Sequence, residues 1–321
     1  MSASLTTGAA TLLAQTLRMM VPYGCAALGG VWSERSGVVN IALEGILLSS
    51  GLAAVVGHVA TGSAVWGVAF GIAAGASVAA VHALAVRAKV DAIVSGIALN
   101  IAAAGGTRFL LRALYGSSSN SPSVAGFSSA LFEGTSGAAL LARTATDPLW
   151  ILGGLSTAGT AWLLYRTRFG LHVRACGENP HAAKSVGLDT GALRLLAVSL
   201  GGAICGIGGA ALAYDQHQFQ SGMSGGRGFI ALAAVIVSGW RPGRAVLACA
   251  VFASLDAVQI LLQGETRVPH DLLQAIPYVA TLLALVLMGR RMGRRMGRRG
   301  GSAFTGAGGP PAALGKTVTE V

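Results

Sequence analysis

Six polar side chains interrupt long apolar runs in this sequence: Asn40, Glu44, His82, Asn100, Asp256 and Gln259. An ionisable group at mid-bilayer costs about 2.5–3.5 kcal/mol on insertion scales, so each needs a compensating role. One role is to line a wet pathway for a polar solute. The other is to hydrogen-bond a neighbouring helix, worth about 0.6 kcal/mol on average. Asn40 and Glu44 are four apart and Asp256 and Gln259 three apart, so each pair is expected to share a helix face. His82 and Asn100 stand more alone. Both roles stay open for Asn40 and Glu44, while interhelical bonding is the simpler account of the other four. The candidate pathway residues are therefore Asn40, Glu44, Asn100, Asp256 and Gln259.

Bond-making chemistry has no visible seat. The chain contains no HExxH, and Gly315-Lys316-Thr317 has Pro310 where a phosphate-binding loop needs glycine. No catalytic residue is assigned, and any dependence on ATP must come from another subunit. Cys25, Cys176, Cys205 and Cys249 form no CxxC pair, and three of them lie in apolar runs, where cysteine behaves as a small hydrophobe. No metal, cofactor or disulfide is expected.

The elements that position these residues must be membrane helices. Of 321 residues 53% are hydrophobic and 11% charged, against about 25% charged in an average soluble domain. Forty-seven glycines suit helices that approach backbone to backbone in lipid. Apolar runs lie at 10–31, 38–56, 63–86, 92–111, 149–165, 195–214, 228–240, 243–262 and 272–289. The expected fold is an all-α integral membrane protein of about nine (eight to ten) spans, with residues 1–289 as one polytopic domain. The run 228–240 is short and reads as a broken or re-entrant helix.

Net charge is +11, but the cations lie in connections and in a tail, which points to membrane orientation and not to nucleic acid. Arg290, Arg291, Arg294, Arg295, Arg298 and Arg299 place the C-terminus in the cytoplasm. Counting back, the inner connections and tail hold seventeen Lys and Arg and the outer ones five. The N-terminus then lies outside. Residues 290–321 are expected to form a basic, disordered cytoplasmic tail, and 112–148 an outer connection with a short surface helix. Leu17-Arg18-Met19-Met20 and Leu193-Arg194-Leu195-Leu196 open two runs followed by Gly-containing breaks, and with the two sets of spans starting on opposite sides of the membrane the halves are expected to form an inverted repeat. Such repeats place the translocation path at corresponding breaks, here Asn40 to Gly45 and Ser221 to Gly228.

The loop 166–194 holds Arg174-Ala175-Cys176-Gly177-Glu178-Asn179-Pro180-His181-Ala182-Ala183-Lys184-Ser185-Val186-Gly187. Asn179 suits an N-cap, Pro180 the first helical position and Gly187 the C-terminal cap, so a two-turn helix is expected there. It either rests on the membrane surface or serves as a contact for a cytoplasmic motor.

Ser33-Glu34-Arg35-Ser36-Gly37-Val38-Val39-Asn40-Ile41-Ala42-Leu43-Glu44-Gly45 resembles a signature of permease subunits of bacterial ABC importers for simple sugars and nucleosides. That group also includes ribose and branched-chain amino acid permeases. Arg174 to Pro180, followed by Ala182-Ala183 and Gly187, resembles the family's coupling segment, and the span pattern matches over about residues 10–290. The resemblance implies a second, often non-identical permease, a cytoplasmic ATP-binding subunit and an extracytoplasmic solute-binding protein, all working at the inner membrane among its lipids. It implies that Gly177, Glu178, Asn179, Pro180, Ala182, Ala183 and Gly187 couple to the ATPase and that Asn40 to Gly45 lie by the pathway. Cys176, where a small aliphatic residue is usual, and the Arg-rich tail depart from the pattern. The wording of the first motif is nearer the nucleoside-type importers. A secondary transporter or channel needing no ATPase is the alternative, and the scarcity of membrane carboxylates to couple ions speaks against it.

Overall fold

A computed structural model of the chain describes residues 2–127, 137–263, 275, 278–283, 286 and 310–315. Residues 2–7, 137 and 138 are described by their backbone alone. Eleven helices are described: α1 (Ser2–Arg35), α2 (Leu43–Thr61), α3 (Ala64–Arg87), α4 (Ala92–Tyr115), α5 (Gly137–Ala145), α6 (Pro148–Arg166), α7 (Arg168–Glu178), α8 (Pro180–Ser185), α9 (Thr190–Asp215), α10 (Arg227–Ser238) and α11 (Pro242–Gln263). Residues 275, 278–283 and 286 are also helical. Among the described residues one antiparallel bridge, Asn120 with Gln220, joins the α4–α5 connection to the break before α10. Among the described residues five helices are long and apolar enough to cross a membrane: α2, α3, α4, α9 and α11. α1 and α6 have the length but are less apolar. Most of the run 272–289 and all six tail arginines lie outside the described residues.

Helix ends follow local chemistry. The side chains of Asp91, Asp147 and Asp189 accept backbone N–H groups at the starts of α4, α6 and α9, as N-cap carboxylates do. Pro148 fills the first position of α6, where its missing N–H costs nothing. Gly62 and Gly116 close α2 and α4 in the left-handed conformation.

α9 is the centre, and glycine puts it there. A Cβ on Gly201 would stand 2.6 Å from the Gly29 carbonyl oxygen of α1, and one on Gly202 2.4 Å from that of Gly75 in α3. One on Gly209 would meet the Leu47 carbonyl of α2 at 2.6 Å. Three helices thus touch α9 backbone to backbone, the small-residue packing that lipid-embedded helices rely on. The outer faces of α3, α4 and α6 carry exposed Trp66, Phe70, Ile101, Phe109, Leu155 and Trp162. An apolar exterior of this extent belongs against lipid or another protein.

Candidate functional site: a polar cluster between helices and a capped loop helix

The two breaks expected at Asn40 to Gly45 and Ser221 to Gly228 meet. Glu44, in the first turn of α2, reaches the start of α10, and its carboxylate accepts the Ser224 hydroxyl at 2.5 Å and the Gly226 and Gly228 N–H groups at 2.7 Å each. A helix start leaves N–H groups unpaired and carries a partial positive charge, so a carboxylate from another helix satisfies both. Gly228 permits the approach, because a Cβ there would lie 2.4 Å from the Glu44 nitrogen.

One residue into α10, Arg227 pairs with Asp256 of α11 at 3.0 Å, and the Tyr23 hydroxyl donates to the same oxygen of Asp256 at 3.2 Å. The Arg227 guanidinium stands over the Tyr23 ring, 5.8 Å from its centroid. The Tyr278 hydroxyl donates to the Gly225 carbonyl. Acid, base and phenol thus bond to one another across three helices, α1, α10 and α11, as buried charges must. Tyr23, Ser224, Arg227 and Tyr278 were absent from the sequence reading of this cluster. The Ser221 to Gly228 run is its one local signal.

The remaining expected residues sit elsewhere. Asn40 does not share a helix face with Glu44, because α2 starts only at Leu43. Asn40 Oδ1 accepts the Ala42 N–H at 3.1 Å and its amide donates to Ser33 Oγ at 3.0 Å. This side chain-to-backbone turn competes with helix. Asn100 of α4 accepts the Gly45 N–H at 2.8 Å and donates to the Ile41 carbonyl at 2.9 Å. The His82 ring of α3 is fully buried, 3.0 Å from Ser95 Oγ and 2.9 Å from the Val39 carbonyl. His82 and Asn100 therefore pin the 38–45 stretch, as interhelical bonds would. Asp256 and Gln259 are both buried on α11, three positions apart.

In the loop 166–194 two helices form. α7 was not foreseen. The Thr167 hydroxyl caps it by accepting the Gly170 N–H at 3.1 Å. α8 starts where the spacing placed it: Asn179 Oδ1 accepts the Ala182 N–H at 2.9 Å, with Pro180 as first residue. It ends at Ser185, Val186 is its C-cap, and Gly187 follows with φ +84°. Ala183 is buried, while His181, Ala182, Lys184 and Ser185 are exposed. Cys176 is fully buried at the end of α7, and burial pushes its thiol pKa up.

Of the tail, residues 310–315 are described. They form a turn in which the Ala313 N–H donates to the Gly177 carbonyl at 3.0 Å and Ala313 is buried. Among the described residues no group of three or more His, Cys, Asp or Glu could hold a metal ion.

Apolar helices around an internally bonded polar cluster, with a capped helix exposed in a connecting loop, are the build of a multi-pass membrane protein. Residues 12–288 match the family described as branched-chain amino acid transport system / permease component. The chain belongs to that family. It is 35% identical to the nucleoside ABC transporter permease protein NupC of Lactococcus lactis over 86% of this chain and 91% of that one. It is 32% identical to the guanosine ABC transporter permease protein NupQ of Bacillus subtilis, over 84% and 89%. The putative glucose ABC transporter permease protein TsgC13 of Haloferax volcanii is 36% identical over 80% and 79%.

Proposed function

We propose that the chain is the permease subunit of an ATP-driven importer that carries a nucleoside, with a simple sugar as the next choice of solute. The observation that carries this is similarity across more than four-fifths of the chain to two permeases named for nucleoside and guanosine transport. The permease named for glucose sustains the second choice. In this reading nine spans form an inverted repeat with the N-terminus outside and the basic tail in the cytoplasm. A second permease, a non-identical homologue, faces the exposed apolar helices. An ATP-binding subunit docks on Gly177 to Gly187, and a solute-binding protein delivers from outside. Asn40, Glu44, Asn100, Asp256 and Gln259 border the route, with Glu44 and Asp256 setting the shape of its wall through the start of α10. ATP-driven closure of the motor pushes α8, and the halves rock to open inward.

The test is uptake of a panel of labelled nucleosides, pentoses and glucose by the reconstituted complex. Nucleoside competition at the lowest concentrations is the expected result, and accumulation by the chain alone under an ion gradient would overturn the reading. Ala183→Pro sharpens it. The Ala183 N–H donates to the Asn179 carbonyl at 3.0 Å, the first bond of α8, and proline both removes it and clashes with that carbonyl. Uptake is expected to vanish with membrane insertion unchanged.

A further inference from the structure

Residues 34–37, the last two of α1 and the turn that follows, touch the motor-facing segment on one side and the turn after α10 on the other. Towards the loop the contact is bare backbone: a Cβ on Gly177 would lie 2.2 Å from the Arg35 carbonyl oxygen and 3.2 Å from the Gly37 nitrogen. Arg194, at the start of α9, donates from Nε to the Ser36 carbonyl at 3.1 Å. Gly37, with φ +92°, leaves room for that guanidinium. Towards α10, the Glu34 carboxyl accepts the indole N–H of Trp240. Arg35 donates from Nε to the Trp240 carbonyl at 3.1 Å and from Nη2 to the Gly239 carbonyl at 3.4 Å. Glu34, Arg35, Ser36 and Trp240 are all at most 5% exposed.

The stretch is stiff. Ser33 accepts from Asn40 and from the Val38 N–H, and His82 and Asn100 hold Val39 and Ile41. A few residues on, Glu44 grips the other end of α10. This twelve-residue helix is bounded by Gly226 and Gly239, both left-handed at φ +80° and +67°. Such positions are where short elements pivot. Arg35 is the focal point: its carbonyl abuts Gly177 while its guanidinium holds the α10–α11 turn. Close-packed backbone cannot yield, so a shift of the α7–α8 junction must displace residues 34–37 or break the contact.

We infer that residues 34–37 carry movement of the coupling segment to α10, with Glu34 and Arg35 as positioning residues that hold the α10–α11 turn. The inference rests on the reading of Gly177 to Gly187 as the motor-facing segment. Trp240→Phe and Arg35→Gln remove the bonds at the turn and leave α8 untouched. In the reconstituted complex with its ATPase and binding protein, ATP hydrolysis is expected to stay within twofold of wild type while solute moved per ATP falls at least tenfold. Arg35→Lys is expected to restore part of that ratio. An unchanged ratio overturns the inference, as does a fall of both rates in step with a lowered melting temperature. Should the variants fail to assemble, spin labels at Ser185→Cys and Phe229→Cys, exposed on α8 and α10, decide it in an otherwise native chain. Nucleotide-dependent displacement of both sites supports transmission, and movement of α8 with α10 stationary overturns it. A wild-type complex without ATP-driven uptake would instead sink the reading of the chain as an importer subunit.

Discussion

Glu44 is where a single atom should matter most. Its carboxylate accepts three donors, two of them backbone N–H groups at the start of α10. In Glu44→Gln one carboxylate oxygen becomes an NH2. The amide oxygen can keep the Ser224 and Gly226 donors, but the NH2 then faces the Gly228 N–H, donor against donor. A hydrogen bond to a charged group is worth about 1.5–3 kcal/mol, and an unpaired buried donor costs about 1–3. Glu44→Gln should therefore destabilise the protein by roughly 2 kcal/mol. Glu44→Ala, which orphans two N–H groups and exposes the positive helix end, should cost about twice that. The assay is thermal unfolding in detergent beside uptake by the reconstituted complex. Because all three bonds are internal, the reasoning expects Glu44→Gln to lower transport through loss of α10 order while leaving the ranking among nucleosides intact. A glutamine variant as stable as wild type, or one whose solute ranking changes at unchanged stability, would refute it and place Glu44 against the solute.

Burial pushes the Glu34 carboxyl up from 4.5 to about 7, against the smaller opposing effect of the Trp240 N–H. Its neutral form is thus the one that folds readily. Stability should be greatest below the ordinary carboxylate pKa and fall by about 3 kcal/mol as pH rises from about 4.5 to about 7, then level off. Glu34→Gln should flatten that part of a melting-versus-pH curve, and a curve no flatter than wild type would show that Glu34 is not its source. Asp256→Asn leaves Arg227 facing a neutral amide and should cost about 3 kcal/mol; Arg227→Gln in the same chain should recover part of it in the same unfolding assay. All four native cysteines are buried, so Ser185→Cys should be the one thiol that reacts rapidly with an impermeant reagent, in inverted vesicles and not in intact cells. Labelling in intact cells would put the α8 segment on the wrong face for a motor.

What could be read from the sequence was what depends on neighbours in the chain. The start of α8 was legible because an Asn side chain and a Pro ring act within three residues of themselves, and the breaks at 40–45 and 221–228 because glycine marks them locally. Their pairing with particular partners was not. Glu44 and Ser224 are 180 residues apart, Glu34 and Trp240 206, Tyr23 and Asp256 233; no periodicity links them. Asn40 was misplaced on a helix because a four-residue spacing says nothing about whether a helix has yet begun. Its own amide, bonded to Ser33 and Ala42, delays that start. α7 was missed because its apolar content is low and Thr167 caps it in the middle of a polar loop.

The glycine content shows the same limit from the other side. Forty-seven glycines announce close helices, yet only the three-dimensional arrangement tells which serve that end. Gly105, Gly106, Gly154 and Gly159 would meet nothing on gaining a methyl group, whereas Gly201, Gly202 and Gly209 would collide with backbone of three different helices. Gly177 belongs to the second kind, but its neighbour is the Arg35 carbonyl at the very end of α1, not the middle of a helix. A composition suited to lipid packing thus also supplies a bare backbone contact at the proposed coupling loop. A methyl group there would force apart two segments that the proposed transport cycle requires to move together.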